Sequence, residues 1–107
     1  MANWIWMTTW TIGKVDRQAL LKAIDEMAAI PGAYQEQGLL RNDFVYDEEH
    51  GEAGHIMLWA VKPERHMFNQ AALKRSNEIW GAFLRSQGLK EGPPRIFSFE
   101  IIEPNVK

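Results

Sequence analysis

The chain has no cysteine, and that absence removes disulfides, zinc thiolate sites, iron–sulfur clusters and thiol nucleophiles together. No stretch approaches the roughly 20 consecutive apolar residues that span a bilayer. The opening Met1-Ala2-Asn3-Trp4 lacks the basic and apolar regions of a signal peptide. Charge of one sign is also scarce: 12 Lys and Arg stand against 14 Asp and Glu, a net charge of −2. Only Lys74-Arg75 sets two cations side by side. Nothing here attracts nucleic acid or an anionic membrane, so neither is expected as a partner. A cytoplasmic protein without covalent staples is the expectation.

What is present is a 107-residue chain, 46% apolar and 24% charged. That suits one soluble domain over residues 1–107, large enough for one core and not two. Five of its residues are tryptophan, and Trp4, Trp6 and Trp10 fall within seven positions. Indole rings mark cores, interfaces and ligand pockets, so where they point becomes the central question.

Residues 3–12 are aromatic and β-branched and carry no charge, which predicts a strand. Its alternation sets Trp4, Trp6, Thr8, Trp10 and Ile12 against Ile5, Met7, Thr9 and Thr11. Both rows avoid charge, as a covered central strand requires. Asp16 is a good N-cap for a helix over 16–29, where Ala19, Leu20, Ala23, Ile24, Met27 and Ala28 recur at helical spacing. Pro31-Gly32 ends it. A more polar strand over 38–47, a turn over 48–54 and an apolar strand over 55–61 form an antiparallel hairpin. From Pro63 a helical stretch runs to about Ser86, and the polar Lys74-Arg75-Ser76-Asn77 predicts a kink or two abutting helices. After Gly92-Pro93-Pro94 comes the last strand, 95–102, and then a tail, 103–107.

The order βαββαβ with right-handed crossovers predicts an α+β, ferredoxin-like domain. A four-stranded antiparallel sheet carries both helices on one face, with strands one and three in the middle. The second face must then meet something. Strand three offers His55, Met57, Trp59 and Val61 against Ile56, Leu58 and Ala60. The smaller aliphatic row fits helices more tightly, which sends the larger row, and Trp4, Trp6 and Trp10 with it, to the open face. So large an aromatic patch exceeds what soluble monomers tolerate. A homodimer closing a barrel around a shared chamber is therefore expected. The alternative buries these tryptophans beneath the protein's own helices, because a shift of one residue reverses every side chain.

Ile30-Pro31-Gly32 after the first helix, Trp59 at the end of strand three, and Gly92-Pro93-Pro94-Arg95 before an aromatic final strand give a recognisable combination. Over about residues 3–103 the chain resembles the dimeric α+β barrel superfamily, most closely its antibiotic-biosynthesis-monooxygenase-like members. The resemblance implies a dimeric α+β barrel and the chemistry of small monooxygenases that work on aromatic polyketides without a cofactor. By the same resemblance Trp59 falls at the position of an active-site Trp. His55 stands where those enzymes have Asn, and His66 stands near a position they fill with Tyr. The haem-degrading branch needs a histidine along the second helix, and Phe68 to Leu84 contains none.

Cofactor-free oxygenation asks for a base, a dry aromatic slot and an orienting donor. His55 and His66 are the candidate bases because imidazole titrates near neutrality. Trp59 is the residue most expected to act, with its indole N–H and the Asn42 amide as orienting donors. Trp4, Trp6, Phe68 and Trp80 are the expected walls for a small aromatic substrate. His50, His55 and His66 show no ligand spacing, so no metal and no cofactor are expected. Two other readings stay open: an isomerase or cyclase using the same pocket, and a non-catalytic dimeric binding or stress-related protein.

Overall fold

A computed structural model describes residues 2–102; the expected tail over 103–107 lies outside the described residues. The aromatic run forms β1 (Trp4–Thr11), followed by α1 (Arg17–Ala28), β2 (Leu39–Asp47), β3 (Glu52–Trp59), a 3-10 turn (Arg65–Met67), α2 (Gln70–Ser86) and β4 (Arg95–Glu100). The sheet order is β2-β3-β1-β4 with every pairing antiparallel. This is the expected α+β, ferredoxin-like arrangement, with the uncharged β1 and the largely apolar β3 in the middle and the polar β2 at an edge.

Local chemistry sets the boundaries. Asp16 caps α1, its carboxylate accepting from Ala19 N at 3.3 Å. Asn69 caps α2 through Ala72 N at 3.1 Å. The second helical stretch is interrupted at Phe68–Asn69, both extended, and not at Lys74-Arg75-Ser76-Asn77, which α2 runs through without a break. The reason is the Asn69 cap: it offers the helix a start, whereas a polar run on an exposed helix face needs no kink. Strand β3 begins at Glu52, earlier than expected, because Thr11 pairs with Glu52 and Trp10 with Ala53.

The face assignment is the main correction. The indoles point toward the helices. Trp4, Trp6, Thr8 and Trp10 pair in register with Trp59, Met57, His55 and Ala53, and Ala53, Met57 and Trp59 are buried. Trp10 lies 5.2 Å from Trp80 of α2 and packs on the core of Leu20, Met27, Ile79, Phe83 and Leu84. The expectation of a tight aliphatic fit fails because the larger row packs on the helices, with Trp10 meeting Trp80 between the layers. The open face instead carries Ile5, Met7, Val45, Ile56, Leu58, Phe97 and Phe99, as the registers require.

Candidate active site

The stand-off between helices and sheet leaves a cavity of about 270 Å³. It lies between the sheet and the protein's own helices, on the face opposite the open one. Strand β1 contributes Trp6, Thr8 and Trp10, the β2–β3 hairpin contributes Phe44, His55 and Met57, and α2 contributes Ser76 and Trp80. Phe68, just before α2, lies edge-on to Trp6 with ring centroids 5.1 Å apart. The Trp6 indole N–H is already engaged, donating to Thr8 Oγ1 at 3.1 Å.

His55 is the titratable group best placed for chemistry. Its Nδ1 lies 2.8 Å from Asn42 Oδ1, so with a carbonyl facing it Nδ1 carries the proton and Nε2 holds the lone pair. Phe44 stacks on the ring at 6.1 Å. Burial pushes the imidazole down from 6.5 to about 4, since charging it inside an aromatic shell costs hydration that nothing nearby restores. The group expected to titrate near neutrality is therefore a neutral acceptor at pH 7.

Tyr34 was not anticipated. It sits in the irregular segment between α1 and β2, lines the cavity, and has φ 58°. Its ring is perpendicular to Phe44 at 5.6 Å and lies 6.4 Å from His55. Burial raises its phenol above the usual 10, opposed in part by the Ser76 side chain and reinforced by the Glu36 carboxylate. Neither helical nor strand periodicity covers this segment, so no sequence pattern marked it.

Comparison with solved structures identifies the architecture. A monooxygenase from the gene ActVA-Orf6 of Streptomyces coelicolor, in complex with the ligand nanaomycin D, superposes with a TM-score of 0.54 at 16% identity, covering 99% of this chain and 93% of its own. The two share a fold, the ferredoxin-like α+β arrangement of a four-stranded antiparallel sheet with two helices. A protein of unknown function from Nitrosomonas europaea follows at TM-score 0.49 and 16% identity, over 100% of this chain and 96% of that one. SnoaB, a cofactor-independent oxygenase from Streptomyces nogalater, follows at 0.45 and 10%, over 99% and 97%. No protein-family model and no curated protein sequence matches the chain.

Within this fold the expected site residues separate into groups. Trp6, His55, Phe68 and Trp80 line the cavity, and Asn42 is hydrogen-bonded to His55. Trp59 does not line it: it is wholly buried behind Phe68, edge-on at 5.4 Å, and its Nε1 has no hydrogen-bond partner. Trp4 also lies off the cavity, with the Lys62 ammonium 5.4 Å from its ring centroid. His66 is largely exposed and pairs with Glu64 at 3.3 Å, away from the others. Among the described residues no three His, Asp or Glu side chains converge as a metal site needs.

Proposed function

We propose that the cavity binds an aromatic or phenolic small molecule of polyketide type and oxidises it with dioxygen, using neither metal nor flavin. The observation that carries this is an aromatic cavity with a neutral, oriented imidazole in its wall: His55 with Nδ1 held by Asn42 at 2.8 Å. At about 270 Å³ the space falls just below the roughly 300–1,000 Å³ of drug-sized small-molecule sites, which suits a ligand no larger than a bicyclic one. The Streptomyces coelicolor neighbour is a monooxygenase with bound nanaomycin D, so this reaction is the first to test.

His55 is the base of the proposed reaction. A phenol proton passing to Nε2 leaves an imidazolium beside a phenolate. Their mutual attraction in a dry site offsets the desolvation that disfavours either charge alone. The phenolate is electron-rich enough to reduce dioxygen. At a ring methylene one oxygen atom becomes a carbonyl, and the other leaves as water with the two methylene hydrogens. Trp6, Phe68 and Trp80 form the slot. Trp59 acts through Phe68 as a buttress, and neither His66 nor Trp4 has a part.

An isomerase or cyclase is favoured by one specific observation: a neutral acceptor, His55, and a protonated phenol, Tyr34, share the cavity. Oxygen uptake measured with anthrone- and hydroxyquinone-type compounds separates the readings. The oxygenase should consume oxygen in step with product, and His55→Ala should lower the rate by about a hundredfold or more. Turnover that persists without oxygen would move the assignment to the isomerase. Neither turnover nor binding would leave a non-catalytic protein. We also propose that two copies associate through the open sheet face, on the apolar row of Ile5, Met7, Ile56, Leu58, Phe97 and Phe99.

A further inference from the structure

We propose that Tyr34 is a specificity-determining residue of the cavity: its phenol hydroxyl donates a hydrogen bond to a carbonyl oxygen of the ligand, so the site selects aromatic ketones and quinones over carbonyl-free analogues. The inference rests on reading the cavity as an aromatic-ligand site and adds to it the polar group that the ligand must carry.

The first support is conformational. Tyr34 is the one non-glycine residue at positive φ among those described, at 58°. An aromatic residue is a poor occupant of the left-handed region, where its Cβ crowds the backbone. Such outliers persist where the surroundings hold them, and they gather at ligand sites. Here the holding contacts are visible: Phe44 at 5.6 Å and 90°, and His55 at 6.4 Å and 68°. Glycine or asparagine would relieve the backbone at once. Only tyrosine supplies a ring against Phe44 and a hydroxyl beside Ser76, another residue of the cavity wall.

The second support is chemical. The phenol is kept protonated by its surroundings, so it can donate. His55 presents Nε2 as an acceptor in the same wall, because Nδ1 is committed to Asn42. A neutral donor and a neutral acceptor on one side of an aromatic slot complement a ligand that carries a carbonyl and a hydroxyl. Neither attracts a carboxylate or an ammonium. The absence of cysteine also means that the chain has no thiol to capture a quinone.

Calorimetric titration with 1-tetralone and with its carbonyl-free analogue tetralin tests this on the intact protein. Wild type should bind 1-tetralone about five- to tenfold more tightly, the yield of one neutral hydrogen bond in a buried site. Tyr34→Phe keeps ring and backbone and should bind both compounds alike, with tetralin affinity unchanged. If Tyr34→Phe keeps the preference, or loses both ligands equally, the donor role is wrong while the aromatic site stands. If wild type binds neither compound, the aromatic-site reading falls and the inference falls with it. Should Tyr34→Phe not fold, 3-fluorotyrosine labelling places reporters at Tyr34 and Tyr46 alone, the two tyrosines of the chain. The Tyr34 fluorine resonance should then move with 1-tetralone and not with tetralin, and equal responses would overturn the proposal.

Discussion

At the scale of single residues, His55 stores free energy that depends on pH. Its folded value is near 4 against an ordinary 6.5, so between these values the unfolded chain binds the extra proton. Stability therefore rises with pH across that window. It is fully present above about pH 6.5, declines as pH falls, and stops declining below about pH 4. The ceiling is about 3 kcal/mol, and water entering the cavity would lower it. His55→Asn removes the titration. Thermal melts at pH 7 and pH 5 should show wild type losing more stability than the variant, and equal losses would mean that the ring is charged at little cost. Residue identity was partly legible in the sequence: His55 and Asn42 were named, and they do meet. Tyr34 was not, because the sign of φ is not written in side-chain letters and its segment has no period to read.

At the scale of elements, β1 and β3 approach closely enough to dictate one glycine. A Cβ on Gly54 would run into the Thr8 carbonyl and sit 2.8 Å from Thr9 Cα. Both belong to the central strand, and backbone cannot swing aside as a side-chain end does. Gly54→Ala should cost about 2–3 kcal/mol through overpacking, seen as a lower denaturant midpoint. An unchanged midpoint would show that β1 can yield. Element type and order were legible because β1 is unbroken by charge and because Asp16 and Gly88 punctuate the helices. The facing of the rows was not. Period-two alternation separates Trp6 from Met7 without saying which row meets the helices, and the decision lay in how far α1 and α2 stand from the sheet. That distance depends on Trp10 and Trp80 meeting across it, a long-range contact that neither segment announces alone.

At the scale of the whole molecule, exchanging the two rows changes the argument for association without removing it. The open face has lost its indoles but keeps Ile5, Met7, Val45, Ile56, Leu58, Phe97 and Phe99, and Phe99 is 53% exposed. Charges sit at its margins, with Arg41 to Asp43 at 2.7 Å along β2 and Arg95 to Glu52 at 2.6 Å where β3 and β4 begin. An apolar centre with a polar rim is the anatomy of a protein interface. Leu58 lies on the open face of a middle strand, paired with Ile5 and with Arg41. Leu58→Glu would put a carboxylate into each half of a dry interface, where an unpaired charge costs several kcal/mol. Wild type should sediment as a dimer of the 12.4 kDa chain, and Leu58→Glu as a monomer with unchanged circular dichroism. A wild-type monomer at high concentration would end the dimer proposal. Ligand binding gives the separate check: the cavity lies on the helix side of the sheet and Leu58 on the other side, so the dissociated variant should keep its affinity for 1-tetralone. Loss of that affinity in a folded monomer would mean that the partner sheet holds β1 and β3 in the shape the cavity needs.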